Sequence, residues 1–471
     1  MKKDISKEAT KAGKWYTIGN ILLKGCIFFS LPIFTRILST VDFGIYNTYM
    51  AYEGIVTAIL GLGLYGTVKN AKLDFKEKFN EYLSSVITFS LIVLSAVLII
   101  ANCTYDLYSN FLKFDRFIVN CLLLQSFGAY LIYFFGAKLN IEFKYKSYLL
   151  ISCFNTLGNI VLSLFLIKFV FPNSKYLGRI LGSALPLIIV GCIIVIMLMT
   201  KGKKYISKKY WKYALSIGLP LVPHVISQSL LSQFDRIMIT NIIGESESGI
   251  YSYIYTICTI LYVISSSFDN AWSPWVYMML KDNEQCKIKR ASKEYIGFFA
   301  ILTLGFICVM PEITKIIASK EYWIGIDLIV PLSLANYFIF LYMIPVNIEY
   351  YNKKTKYISI GTISAAVLNF GLNFVAIKLW GFKAAAYTTV ISYIVLFLFH
   401  WIIAKKFEIE KSYDINDFVK ISSVLILIAS SVLIIDLITP IGFFYRYVII
   451  IILLIFIFKY RKKIFKIIKG R

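Results

Sequence analysis

The sequence predicts an all-α polytopic membrane protein with about 14 transmembrane helices. They form two six-helix bundles related by pseudo-two-fold symmetry, followed by a C-terminal helix pair. Three observations carry this. The 471 residues are 58% hydrophobic and only 16% charged, against about 45–50% and about 25% in a soluble globular protein. Apolar runs of about 20 residues return about every 30–35 residues along the whole chain, and about 20 is the length that crosses a bilayer. Finally, two stretches of the first half recur in the second at nearly one offset.

Taken in order, the expected spans are 15–37, 44–66, 82–102, 117–137, 148–170, 177–199, 213–241, 249–271, 294–314, 324–346, 357–378, 382–403, 418–436 and 441–458. Each can cross a hydrocarbon core about 30 Å thick at about 1.5 Å per residue. Backbone groups in lipid must be paired within the segment, so helices are expected throughout. The links are about 5–20 residues long and leave no room for a soluble catalytic domain.

Lysine and arginine set the orientation. The N-terminal stretch, the links near 67–81, 138–147, 200–212, 281–293, 347–356 and 404–417, and the C-terminal stretch hold about 36 of them; the other side holds about eight. This places both termini in the cytoplasm and requires an even number of spans. From Lys459 to Arg471 the basic residues alternate with Ile and Phe, a pattern that suits an amphipathic segment on anionic lipid and equally a plain orientation signal.

At an offset of 200, Phe34-Thr35-Arg36-Ile37 faces Phe234-Asp235-Arg236-Ile237, and Lys24 faces His224. After a short insertion Gly44-Ile45-Tyr46 faces Gly249-Ile250-Tyr251. At 210, Asn159, Leu162, Ile167 and Lys168 face Asn369, Leu372, Ile377 and Lys378. Six spans per repeat is even, so the halves share an orientation and are related by an axis along the membrane normal. The expected domains are residues 1–205 and 206–404 as the two bundles, then 405–471 as the added helix pair and basic tail.

Several functions are excluded or disfavoured. The net charge of +24 sits in short links rather than on a nucleic-acid-binding face, so no nucleic-acid partner is expected. The eight cysteines form no C-x-x-C pair and there are only two histidines, so neither disulfides nor a metal or other cofactor is expected. The first apolar run carries Lys24 and lacks a small-residue cleavage site, unlike a signal peptide. The phosphate-binding G-x-x-x-x-G-K-[ST] pattern is absent, which disfavours an ATP-driven pump. A channel would show a repeated pore loop or charged ring. A membrane-embedded glycan transferase would need an acidic or basic cluster at one face, whereas the acidic residues here are scattered. The expectation is a transporter and not an enzyme: duplicated bundles around a cleft suit alternating access.

Gly218-Leu219-Pro220-Leu221-Val222-Pro223-His224, then Asp235-Arg236 and Gly249-Ile250-Tyr251-Ser252, resemble the mid-chain pattern of bacterial polysaccharide flippases. Gly19-Asn20 through Thr35-Arg36-Ile37-Leu38, then Gly44-Ile45-Tyr46, are similar to their first span pair. These flippases belong to the multidrug/oligosaccharidyl-lipid/polysaccharide exporter superfamily. The resemblance covers the whole span plan, with motifs over about 80 positions. It implies flipping of undecaprenyl-diphosphate-linked oligosaccharides across the bacterial inner membrane for O-antigen or capsule assembly. The implied partners are that sugar-lipid, membrane lipid, a coupling ion (H⁺ or Na⁺) and a polysaccharide polymerase. A cation-coupled multidrug exporter of the same superfamily is the alternative; the two extra spans and the basic residues of span one argue against it.

Intramembrane charges are costly and generally face an interior or a watery cavity. Lys24, about eight residues into span one, is a candidate for neutralising a diphosphate, with snorkelling to the headgroups as its competitor. Arg36 and Arg236, near the outer ends of spans one and seven, offer planar forks to phosphate, against interfacial anchoring or ion pairing with Asp42 or Asp235. Glu53, mid-span, is a candidate to pair with Lys24 or take up a proton; Asp235 is expected to pair across helices. His224, between two prolines, is a candidate substrate contact or proton sensor, or a packed polar residue. Pro220 and Pro223 remove helix donors, should kink span seven, and are hinge candidates. Asn155, Asn159, Asn369 and Asn373 are expected to hydrogen-bond between helices.

Overall fold

A computed structural model describes residues 28–439 and 442–468, with isolated positions 15, 19, 23, 25 and 26 ahead of them; Lys24 lies outside the described residues. All the regular structure described is helical. Two compact units divide the chain, Met1–Ser248 and Gly249–Arg471.

The first unit begins with α1 (residues 28–37). Ser39 then caps α2 (Thr40–Gly61): the Asp42 amide donates to Ser39 Oγ (3.1 Å) and the Ser39 amide donates back to Asp42 Oδ2 (3.3 Å), a reciprocal pairing of free helix-end donors. α2 ends on left-handed Leu62, and Gly63 at φ +66° carries the chain into a 3₁₀ turn, Leu64–Thr67. Next come α3 (Val68–Phe75), α4 (Phe79–Cys103), α5 (Tyr105–Leu112) and α6 (Arg116–Ile141). Asp115 caps α6 by accepting from the Ile118 amide (2.8 Å). α7 (Tyr145–Phe165) closes in a π turn and α8 (Lys175–Gly202) follows. α9 (Lys208–Gly218), a 3₁₀ turn (Leu219–Leu221) and α10 (Val222–Ile242) make up span seven. α8 packs on α4, α6 and α7, and α2 packs on α6 and α10. α6 and α8 approach at Gly128 and Gly191: a methyl group added to Gly191 would sit 3.0 Å from the Gly128 Cα. Small residues let membrane helices approach this closely, where lipid offers no hydrophobic drive to association.

The boundary between the units falls inside α11 (Glu245–Lys281). The second unit continues with α12 (Gln285–Ile317), a 3₁₀ stretch (Lys320–Leu328), α13 (Ile329–Tyr351), α14 (Thr355–Trp380), α15 (Ala384–Lys405), short α16 (Ile409–Ser412), α17 (Ile415–Ile438) and α18 (Gly442–Ile468). α15 packs on α13 and α14, while α12 packs on α13, α17 and α18.

Eleven segments among the described residues are long and apolar enough to cross a membrane, and they match expected spans three to thirteen. The described part of span one (residues 28–37) and the apolar stretch 442–455 are shorter helices. Span two is α2, a full 22-residue helix. It carries Asn47, Thr48, Glu53 and Thr57, and this polarity goes with its packing between helices. The boundary between the compact units falls at 248/249. α10 and the first turn of α11 lie along α2, joined by Thr48 Oγ1 to Thr240 Oγ1 of α10 (2.6 Å) and to Ser248 Oγ of α11 (3.3 Å), and by Thr40 Oγ1 to Ser246 Oγ of α11 (2.9 Å). Local geometry does repeat at the offset of 210. The α6–α7 link turns through left-handed Phe143, and the α13–α14 link through left-handed Lys353.

Candidate functional site

The site is built in the first unit from the α7–α8 pair. Gly182 on α8 meets α7 at Ser163 so closely that a Cβ there would collide with the Ser163 backbone and hydroxyl. This contact brings Asn159 and Ser163, one turn apart on α7, opposite Arg179, one turn before Gly182. Arg179 Nη1 donates to Asn159 Oδ1 (2.5 Å) and to Ser163 Oγ (2.7 Å). The guanidinium lies 4.0 Å from the centre of the Phe34 ring and 4.2 Å from that of Tyr46, so α1 and α2 supply two aromatic faces to one cation. Arg179 is only 9% exposed. Among the described residues no carboxylate pairs with it, and its Nε has no hydrogen-bond partner. A buried charge is ordinarily paired; among the described residues this one is held by neutral groups.

Further along α2, Glu53 Oε1 accepts from Thr57 Oγ1 (3.1 Å), and the Glu53 carbonyl accepts from Ser126 Oγ (3.4 Å). Tyr46 and Glu53 are about 10 Å apart along the helix at about 1.5 Å per residue. Gly54 faces Gln233 of α10, which accepts from Arg236 Nη1. Asp235 and Arg236 are both buried, and Ser248 Oγ donates to the Arg236 carbonyl (3.2 Å). Glu53 thus lies beside α6, while Gln233, and through it Arg236, lies on the α2–α10 seam. Arg36 is on the exposed side of α1. His224, in the first turn of α10, is half-buried and its Nδ1 has no hydrogen-bond partner. Pro220 lies in the 3₁₀ turn and Pro223 at the start of α10, so span seven passes from one α-helical stretch to the next through a single 3₁₀ turn. Here the Gly218 backbone abuts Gly63 so tightly that neither could carry a side chain.

The asparagine expectation holds in part: Asn159 bonds from α7 to α8, and in the second unit Thr388 of α15 donates to Asn373, whose amide donates to Asn369 (3.1 Å). The second unit also buries two groupings of titratable side chains. His400 Nδ1 and Glu349 Oε1 are 2.7 Å apart, both fully buried. Arg446 is held by both Glu312 and Asp436. Arg179 was missed because it stands two residues inside the span expected at 177–199, where an arginine reads as an interfacial anchor. The available signal is Asn159 itself: a polar residue inside span five calls for a partner on the next helix, and Arg179 is the residue that meets it.

Residues 9–280 match the polysaccharide biosynthesis protein family. A Haemophilus influenzae protein described as Lsg locus putative protein 1 is 22% identical over 378 residues, covering 75% of this chain and 87% of that protein. Among solved structures, the lipid II flippase MurJ in an inward closed conformation superposes with a TM-score of 0.69 at 20% identity, covering 94% of this chain and 100% of that one. An inward-facing multidrug resistance MATE family transporter of the MOP superfamily superposes with a TM-score of 0.62 at 15% identity, covering 82% and 95%. The chain belongs to the polysaccharide biosynthesis protein family and has the fold of the MOP-superfamily transporters.

Proposed function

We propose that this protein flips undecaprenyl-diphosphate-linked oligosaccharides from the cytoplasmic to the periplasmic leaflet of a bacterial inner membrane by alternating access, supplying surface polysaccharide assembly. The observation that carries this is Arg179: a buried guanidinium without a carboxylate, positioned by Asn159 and Ser163 between two aromatic rings. Arginine stays charged and its fork matches phosphate oxygens. An anionic diphosphate gains there what it loses in hydration, whereas in bare hydrocarbon the head would lose its hydrogen bonds uncompensated. The lipid tail stays in the bilayer, and no covalent bond is made or broken. Arg236 and Lys24 extend the cationic path; Arg36 and His224 are further contacts. Glu53 and Asp235 are the ion-coupling or ion-pair positions.

The 3₁₀ turn that holds Pro220, next to the tight Gly63–Gly218 contact, supports the pivot role. The left-handed links at Phe143 and Lys353 support two six-helix repeats, residues 1–205 and 206–404, with 405–471 as an added pair. The lysine and arginine asymmetry supports cytoplasmic termini. An H⁺ or Na⁺ gradient and a polysaccharide polymerase complete the proposed partners.

The multidrug exporter is the second reading, favoured by the likeness to MATE transporters. Amphipathic cations are repelled by an unpaired arginine, so the two readings separate on charge. Proteoliposomes are assayed with a fluorescent undecaprenyl-diphosphate disaccharide and, in parallel, with ethidium. Translocation of the first that falls in Lys24→Ala and Arg236→Ala, and is better retained in Lys24→Arg, supports the flippase. Ethidium transport with an immobile sugar-lipid overturns it.

A further inference from the structure

On a different face of the first unit, a cavity of about 390 Å³ opens between α6, α7 and α8. Its floor is apolar (Phe135, Leu139, Leu150, Ile151, Met197 and Leu198) and its rim carries Lys138, Lys144, Lys146 and Lys201. The only acid of this cluster is Glu142, bound at 2.7 Å by both Lys138 and Lys144, so the cluster keeps three positive charges in excess. Orienting the chain requires lysines in links. It does not require Lys138, inside α6 and only 7% exposed, to be buried at a cost and fixed at a cavity wall.

We infer that this cavity is a docking site for a single-chain lipid bearing a diphosphate, occupied before the head reaches Arg179. The identification of the head rests on the function proposed above. Three features select it. The three excess charges match a compact polyanion better than a monoanionic phospholipid head. The two lysines held by one carboxylate lie side by side, so they address adjacent phosphates rather than phosphates spaced across a glycerol. The apolar floor continues directly from the basic rim, which suits a chain joined to the head. The site includes the 138–147 link and faces the 200–212 link, both on the side expected to be cytoplasmic, where an undelivered substrate waits. Basic pockets between membrane helices are established places for phosphate head groups.

The test uses the full-length protein in detergent and a farnesyl diphosphate analogue carrying a diazirine on its chain. Crosslinks are expected in residues 135–151 and 197–201. They should be competed by farnesyl diphosphate but not by farnesol, inorganic diphosphate or cardiolipin at equal concentration. Lys146→Gln with Lys201→Gln should reduce labelling roughly 10- to 30-fold; Lys146→Arg with Lys201→Arg should retain it, separating lost charge from misfolding. Labelling elsewhere, labelling unchanged in the glutamine variant, or equal competition by cardiolipin or inorganic diphosphate overturns the inference. Labelling is read without transport. If proteoliposomes translocate the sugar-lipid and the pocket is not labelled, this inference alone fails; if the pocket is labelled and nothing crosses, the transport reading fails and the pocket stands.

Discussion

Two buried arginines show how differently one fold handles the same charge. In the second unit Arg446 of α18 is only 4% exposed and is gripped by Glu312 of α12 and Asp436 of α17. Its charge is neutralised on the spot, and the three helices are tied together by the arrangement. In the first unit Arg179 is nearly as buried, but its partners are an asparagine, a serine and two aromatic rings. These groups fix its position and leave its charge in force. A paired cation organises helices; a cation held by neutral groups keeps its charge, and on the proposed function that charge meets the diphosphate.

The largest expected effects come from truncating each arginine. Arg179→Ala should cut sugar-lipid translocation about 30-fold or more, since losing a desolvated charge contact costs about 2–5 kcal/mol. Its thermal stability should change little. Arg446→Ala should do the opposite. It strands the partly buried Asp436 and leaves Glu312 only its weaker pair with Lys315 (3.8 Å), so a loss of about 3 kcal/mol in stability is expected, with transport per folded molecule retained. Thermal melts beside the proteoliposome assay check both. A stability collapse in Arg179→Ala with unchanged specific transport would erase the distinction.

Gly182→Ala tests how the site is held. The added methyl must push α7 from α8, so about 1–3 kcal/mol of stability should be lost, and transport should fall beyond that because Asn159 and Ser163 leave Arg179. Tyr46→Ala should be milder: it removes one aromatic face, worth about 0.5–2 kcal/mol. A severalfold weaker apparent affinity for the sugar-lipid is the expected reading, with the maximal rate less affected.

The smallest effect concerns the α6–α7 link. Burial opposes ionisation of Glu142, but Lys138 and Lys144 outweigh it and hold the carboxyl below its ordinary value. A lowered carboxylate contributes stability at neutral pH that is lost as the pH falls through the lowered folded value. Wild type should therefore melt slightly above Glu142→Gln at neutral pH, by the equivalent of about 1 kcal/mol or less. The difference should vanish on acidification below the ordinary carboxylate range. The matching link of the second unit has Asn352 in place of Glu142 and should show no such dependence.

Hydropathy made the helices legible because lipid forces every backbone group into internal pairing, and spans three to thirteen follow from that constraint. The offset of 210 that pairs Asn159 with Asn369 also pairs the left-handed links at Phe143 and Lys353. Two things were not legible. Whether a charge is paired depends on rotation about the helix axis. Hence Arg446 with Glu312 and Arg179 with Asn159, partners 134 and 20 residues apart, could not be told apart in the sequence. The packing of α10 and the start of α11 on α2 was hidden too: Thr48 bonds Thr240 and Ser248, and threonines and serines carry no such address.

The most direct test compares Arg179→Lys and Arg179→Gln for translocation of the undecaprenyl-diphosphate disaccharide, with folding matched by thermal melt. If the free charge of Arg179 serves the diphosphate, the lysine variant keeps a substantial part of the rate and the glutamine variant falls about 30-fold or more. Equal rates in wild type and the glutamine variant would contradict the account.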